Sequence, residues 1–267
     1  LDEKNNTITG EETITYYNNS PDDLTYVWIQ LEQNVNKKEN EDFGSINNRM
    51  RDSMTTRQLQ FLTRAIDFPA GYSIKSVKDG NGKNIKTMVN NTMMKVKLNN
   101  VLKSGETTKL SISWSYPITD RSMYLLSREG YEYFPEDDNT VYLIAHWFPR
   151  MAVYNDTEGW QNQQFQKLGD FALEFGDYEV ALTVPKHQIV SATGMLANPQ
   201  DVMTSTQRNR LASAGTDTPV FVVTPEEALA NEQTSATGTK TWIFRAENVR
   251  DFAWASSAKF IWDAMRH

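Results

Sequence analysis

The sequence predicts a mainly β protein, all strands and turns with minor short helices. Three observations carry that prediction. Apolar residues alternate with period two in segment after segment, as half-buried strands require. Turn chemistry falls between those segments at hairpin spacing. The 267 residues are 39% hydrophobic and 11% aromatic, enough for the sizeable core of one large β domain.

Taken in order, TITGEETITYY (7–17) puts Ile8, Ile14 and Tyr16 on one face and Thr7, Thr13 and Thr15 on the other. NNSPDD (18–23) is a turn, and LTYVWIQL (24–31) is apolar on both faces, as in a strand covered from both sides. Residues 37–66 are polar and aperiodic and read as an insertion with a short helix near Thr56–Leu62. A second block follows: YSIKSV, the turn KDGNGKN, MMKVKL, the turn NNVLKSGE, then KLSISWSYPI. There Leu110, Ile112, Trp114 and Tyr116 oppose Lys109, Ser111, Ser113 and Ser115, until Pro117 closes the strand. In DYEVALTVPKHQIVSATG, Tyr178, Val180, Leu182 and Val184 share a face. A polar insertion (198–232) comes next; within it Thr224 caps a short helix that opens on Pro225 and two acids. TKTWIFRAENV is a further strand, and 250–267 is rich in aromatics, as a junction towards another domain would be.

Composition narrows the function. Net charge is −7 with no basic block, which argues against nucleic acid or an anionic membrane as partner. The absence of cysteine excludes disulfides, thiolate zinc sites and a cysteine nucleophile. No apolar run approaches the ~20 residues of a membrane span. No leader is visible at LDEKNN, and a mature secreted or periplasmic protein would look the same. Sequons at Asn5, Asn18, Asn90 and Asn155 bear on function only in a eukaryotic secretory host.

Chemistry-bearing residues are sparse. The three histidines, His146, His187 and His267, have no ligand spacing, and HExxH and GxSxG are absent. His187 reads as a solvated turn residue, and His146 as a packed or hydrogen-bonded histidine. KDGNGKN is better read as a hairpin turn than as a calcium loop, and PEDDN (135–139) as a solvated loop or a weak metal site. Trp28, Trp114 and Trp242 fall on strands and belong to the core. Trp147, Trp160, Trp254 and Trp262 fall off them and suit an interface. The run HWFPRMAVYNDTEGW (146–160) has neither strand nor helix period and reads as a junction between sheets.

Several segments, in order, resemble the N-terminal domain of the aminopeptidase N family of zinc metallopeptidases, nearest its bacterial envelope-associated branch. They are LDEKNNTITGEETITYYNNSPDDLTYVWIQLEQN, NNVLKSGETTKLSISWSYPI, HWFPRMAVYND, GDYEVALTVPKHQIVSATG and WIFRAENVRDFAWASS. The resemblance implies one non-catalytic β domain over 1–267, a saddle-shaped antiparallel or mixed β-sandwich with minor short helices, forming a wall of a peptide cleft. Zinc, the HExxH helix and hydrolysis of an N-terminal peptide bond would belong to a separate catalytic domain, the implied partner. No metal and no catalytic residue is expected in this chain. His146, Trp147, Arg150, Trp254 and Trp262 are the expected cleft-lining or domain-interface residues, with the HWFPR rings and guanidinium packing against that domain. The implied compartment is the bacterial periplasm or envelope, or secretion, with the cytoplasm left open. Arg150 replaces the cysteine of the family's FPC turn, and PEDDNTVYLIAHW lacks its substrate-contacting glutamine. Two other readings remain open: a scaffolding relative without catalysis, and a free-standing carbohydrate-binding or adhesion sandwich using surface aromatics.

Overall fold

The structure, a computed structural model, describes residues 1–37, 52–63, 68–123, 129–166, 172–234 and 237–266. It is mainly β with a few short helices, as the alternation predicts. The strands of the first half are β1 (Thr7–Tyr17), β2 (Leu24–Gln30), β3 (Ser73–Asp79), β4 (Lys86–Asn90), β5 (Met93–Leu102) and β6 (Thr107–Pro117). Next come β7 (Gly130–Phe134), β8 (Asn139–Ile144), β9 (Arg150–Met151), β10 (Tyr154–Asn155) and β11 (Gly159–Trp160). The last are β12 (Gly176–Pro185), β13 (Ile189–Ala192), β14 (Met195–Leu196), β15 (Val220–Val223), β16 (Thr239–Val249), β17 (Trp254–Ser257) and β18 (Trp262–Ala264).

Four larger sheets run β1-β6-β3, β4-β5-β2-β9, β13-β17-β8-β7 and β12-β16-β14, and two ribbons pair β10 with β11 and β15 with β18. Every ladder between these strands is antiparallel. Inward residues from the four larger sheets join in one hydrophobic cluster. Its centre is β6, where Leu110, Ile112, Trp114 and Tyr116 are 0, 1, 1 and 3% exposed. The polar partners of these residues face out, so period two translates directly into burial.

Several sequence expectations need correction. Strand β2 is covered well on one side only: Val27 and Ile29 are buried, while Tyr26 and Trp28 are half-exposed beneath the ammonium of Lys95, 3.6 Å from the Tyr26 ring centre. NNVLKSGE is not all turn, because β5 runs on to Leu102. KTMVN forms the edge strand β4, which its exposed Met88 and Val89 hide from a periodicity search. The polar stretch after Asn198 folds into two short helices, Pro199–Val202 and Ser205–Ala212. The second starts on a Thr204–Gln207 capping box, a signal the residue pattern already contained. Trp160, Trp254 and Trp262 sit on strands, not off them. Asn18 is wholly buried, its side-chain amide spent on the carbonyls of Asp22 and Leu102, so that sequon is closed to modification.

Other expectations stand. A helix covers Thr56–Thr63, although most of the 37–66 excursion lies outside the described residues, as does His267. Thr224 caps the helix Pro225–Glu232 through a complete capping box with Glu227. KDGNGKN is a tight turn in which the Asp79 carboxylate accepts the Asn81 and Lys83 amides. No helix among the described residues is long and apolar enough to cross a membrane.

Candidate functional site

A concavity of about 1370 Å³ forms a groove between β1 and β12. Each is the edge strand of its sheet: β1 pairs with β6 on one side, and β12 with β16. Antiparallel backbone alternates the side to which each residue's N–H and C=O point. Thr7 exchanges both backbone bonds with Asp2, so the odd residues of β1 direct theirs into the groove. On β12, the N-terminal ammonium of Leu1 donates to the Thr183 carbonyl at 2.8 Å, which places Ala181 and Glu179 on the same outward side. Beyond Thr7 and Thr183, these two backbone edges carry no strand partner among the described residues.

The even side chains of both strands turn towards the core and give the groove an apolar lining, including Ile8, Ile14, Tyr16, Val180 and Leu182. Gly10 leaves room for the Trp114 ring, since a Cβ there would come within 2.3 Å of it. At the base three tryptophans meet edge to face, with Trp114–Trp147 centroids 5.8 Å and Trp147–Trp254 centroids 6.1 Å apart.

Glu12 is the exception in this lining. The residue keeps some surface, but its Oε1 is sealed from solvent and has no hydrogen-bond partner. Burial pushes its carboxyl well above the usual range. The indole Nε1 of Trp114 and of Trp254 are likewise buried and unpartnered.

The residues predicted for an external interface have partners inside the chain. Trp147, Arg150 and Trp254 are 9, 4 and 5% exposed, though each still lines part of the groove. The Trp147 indole N–H donates to the Phe252 carbonyl at 2.8 Å. Arg150 Nε bonds Glu32 Oε1 at 3.0 Å, its Nη2 meets the same oxygen, and its Nη1 lies 2.8 Å from Asp251. The guanidinium is thus engaged by two carboxylates of its own chain. Burial pushes Glu32 up to about 7 against the opposing pull of Arg150, while Asp251 adds to the rise. Burial also works to lower Arg150, but the two carboxylates outweigh it and hold it above its usual value. Glu32 and Asp251 had no sequence signal, because ion-pair partners over a hundred residues apart leave no spacing to read.

His146 lies outside the groove, at φ 51°, with Nδ1 3.6 Å from Glu129 and its ring edge-on to Phe165. Its carbonyl accepts from Gln33 and Tyr72. This is the packed, hydrogen-bonded histidine of the plainer reading. His187 is half-buried, not solvated, 3.2 Å from Glu3. Trp262 is also away from the groove, half-buried and paired with Val223. In PEDDN, Asp138 accepts from Tyr133 and Asp137 pairs with Lys259.

Zinc needs three protein ligands converging at ~2.0–2.3 Å. No three His, Asp or Glu converge among the described residues. The donor set does not fit zinc.

The fold and groove define a class: a mainly β chain of several antiparallel sheets, with a groove of mixed polar and apolar lining in which one carboxyl oxygen of Glu12 is sealed from solvent. No family model matches it, and no curated protein does. Among solved structures, it is similar to an M1 zinc metallopeptidase from Deinococcus radiodurans, at 13% identity and a TM-score of 0.44. A substituted form of a Deinococcus radiodurans M1 zinc metallopeptidase, bound to a Tyr-Ser-Ala substrate, gives 14% and 0.44. Each alignment covers 93% of this chain and 38% of the other, so the chain spans well under half the length of the proteins it matches.

Proposed function

We propose that this chain is the non-catalytic β domain of a zinc metallo-aminopeptidase, shaping one wall of a peptide cleft whose HExxH machinery resides in a separate domain. The observation that carries the reading is the order and spacing of the resembling segments along nearly the whole sequence. The folded positions of those segments are compatible with it. TITGEETITYY is an edge strand beside the groove, and HWFPRM carries the chain from β8 of one sheet into β9 of another. The zinc and the hydrolytic groups are assigned to the other domain, and no chemical step is assigned to this chain.

The test is an assay of the isolated chain with zinc and an aminoacyl p-nitroanilide. Turnover no faster than buffer is expected; chelator-sensitive turnover by these residues alone overturns the reading. The coding sequence after His267 separates an enzyme, which retains HExxH, from a scaffolding relative that has lost it. A glycan-binding sandwich has less support, since Trp147, its expected sugar platform, is buried and hydrogen-bonded.

A further inference from the structure

The outer face of β2 carries features that a peptidase wall does not require. Alternation along β2 buries Val27 and Ile29 and leaves Tyr26 and Trp28 half-exposed on the opposite face. The strand is bonded to β5 along its length and to β9 at Ile29 and Gln30. The hairpin β10–β11 lies beside this face, and the two bound a cleft of about 380 Å³, within the range of small-molecule sites. The cleft is made by side chains and depends on no open backbone edge. Its walls are held from several sides. The Tyr154 hydroxyl donates to Asp22 at 2.6 Å, and the Trp160 ring meets Tyr154 and Tyr16 with centroids 5.1 and 6.1 Å apart. Asn155 Oδ1 fixes the hairpin turn by accepting the Thr157 and Glu158 amides.

Charge divides this face in two. The cleft is lined by four rings, Tyr26, Trp28, Tyr154 and Trp160, and by the carboxylates of Asp23 and Glu158, with no lysine or arginine among its lining residues. Ring faces attract large, weakly hydrated cations. One cation of the chain already sits on them, since Lys95 Nζ is 3.6 Å from the Tyr26 centre and 5.9 Å from that of Trp28. One strand further on, the same face turns positive. Lys97 stands across from Tyr26 and Lys95 across from Trp28, and Lys86 of β4 stands directly opposite Lys97. Like charges in that position destabilise a sheet. Among the described residues, none of these three lysines pairs with a carboxylate. An acidic, ring-lined cleft therefore adjoins an uncompensated basic row, one strand spacing of ~4.8 Å away.

The geometry points to a site for a zwitterionic phosphocholine group. The trimethylammonium enters the cleft among the four rings, near Asp23 and Glu158, and the phosphate lies over β5 against Lys95 and Lys97. A quaternary nitrogen has no N–H to satisfy, which suits walls made mostly of ring faces. A primary amine fits less well, because its N–H groups would give up water without converging acceptors to replace it. The phosphate supplies the counter-charge that the lysine row lacks, through charge-assisted hydrogen bonds. This inference is independent of the metallopeptidase reading and of the groove between β1 and β12.

The test follows the indole N–H signals of Trp28 and Trp160 by NMR, assigned through Trp28→Phe and Trp160→Phe, while the 267-residue chain is titrated. The probes are phosphocholine, choline and 3,3-dimethylbutanol, the neutral isostere of choline. Saturable shifts of both signals are expected, with phosphocholine about tenfold tighter than choline and dimethylbutanol about tenfold weaker. Asp23→Asn combined with Glu158→Gln should weaken choline about tenfold. Lys95→Gln combined with Lys97→Gln should erase the advantage of phosphocholine without weakening choline. The other indole signals, unmoved in each variant, separate these effects from misfolding. Equal shifts by choline and dimethylbutanol, phosphocholine no tighter than choline, or no shift at tens of millimolar overturns the proposal. So does silence of both signals in the full gene product, where another part of the protein would then fill the cleft. Vesicles of phosphatidylcholine distinguish the source: co-sedimentation lost in the lysine variant assigns the group to a lipid, and its absence assigns it to a soluble compound. The site stands in both cases.

Discussion

At the scale of single residues, Arg150 decides the most. Its guanidinium holds two carboxylates, the fully buried Glu32 and the partly exposed Asp251. Removing one partner of a buried ion pair strands the other charge at a cost of about 3–5 kcal/mol. Arg150→Met is therefore expected to destabilise by that amount in urea unfolding, and Glu32→Gln in the same chain should restore part of it. The sequence marked Arg150 as unusual within HWFPR but could not name its partners, since proximity there is made by the β2–β9 pairing. Glu12 was hidden for a related reason. In GEET it occupies an inward position by alternation, yet a glutamate in a polar run reads as solvent-facing.

At the scale of elements, period two made β1, β6, β12 and β16 legible, because each buries one face and solvates the other. It failed for β4 and for the two-residue strands, whose pairing is set by neighbours and not by their own pattern. The free edges make a sharp prediction. In β1 the amides of Ile8, Gly10, Glu12 and Ile14 bond to β6, while those of Thr9, Glu11 and Thr13 point into the groove. Native-state exchange should therefore alternate along this strand, the odd amides exchanging more than about a hundredfold faster than the even ones. Gly10→Ala tests the fit of β1 over Trp114: its Cβ would overlap the ring, at an expected cost of about 1–3 kcal/mol in chemical denaturation.

At the scale of the whole molecule, the fold class was legible because alternation is a property of the entire chain. The groove was not, since it exists only between β1 and β12, strands far apart in the sequence. Global stability should carry a pH signature. Glu32 titrates near 4.5 when unfolded and about 7 when folded, so between those values the folded state keeps a proton that the unfolded state releases. Raising the pH through that window favours unfolding, and Glu12, also raised by burial, acts in the same direction. Unfolding free energy should thus fall on the order of 2 kcal/mol from pH 5 to pH 7.5. Glu32→Gln should flatten the curve; a profile that instead rises with pH would contradict the burial of both carboxyls. The edge-to-face contact of Trp114, Trp147 and Trp254 at the base of the groove has an optical consequence. Indoles this close exchange excitation, and their emission colour follows the wetness of their surroundings, so entry of any guest above them should register as a spectral shift without an added dye.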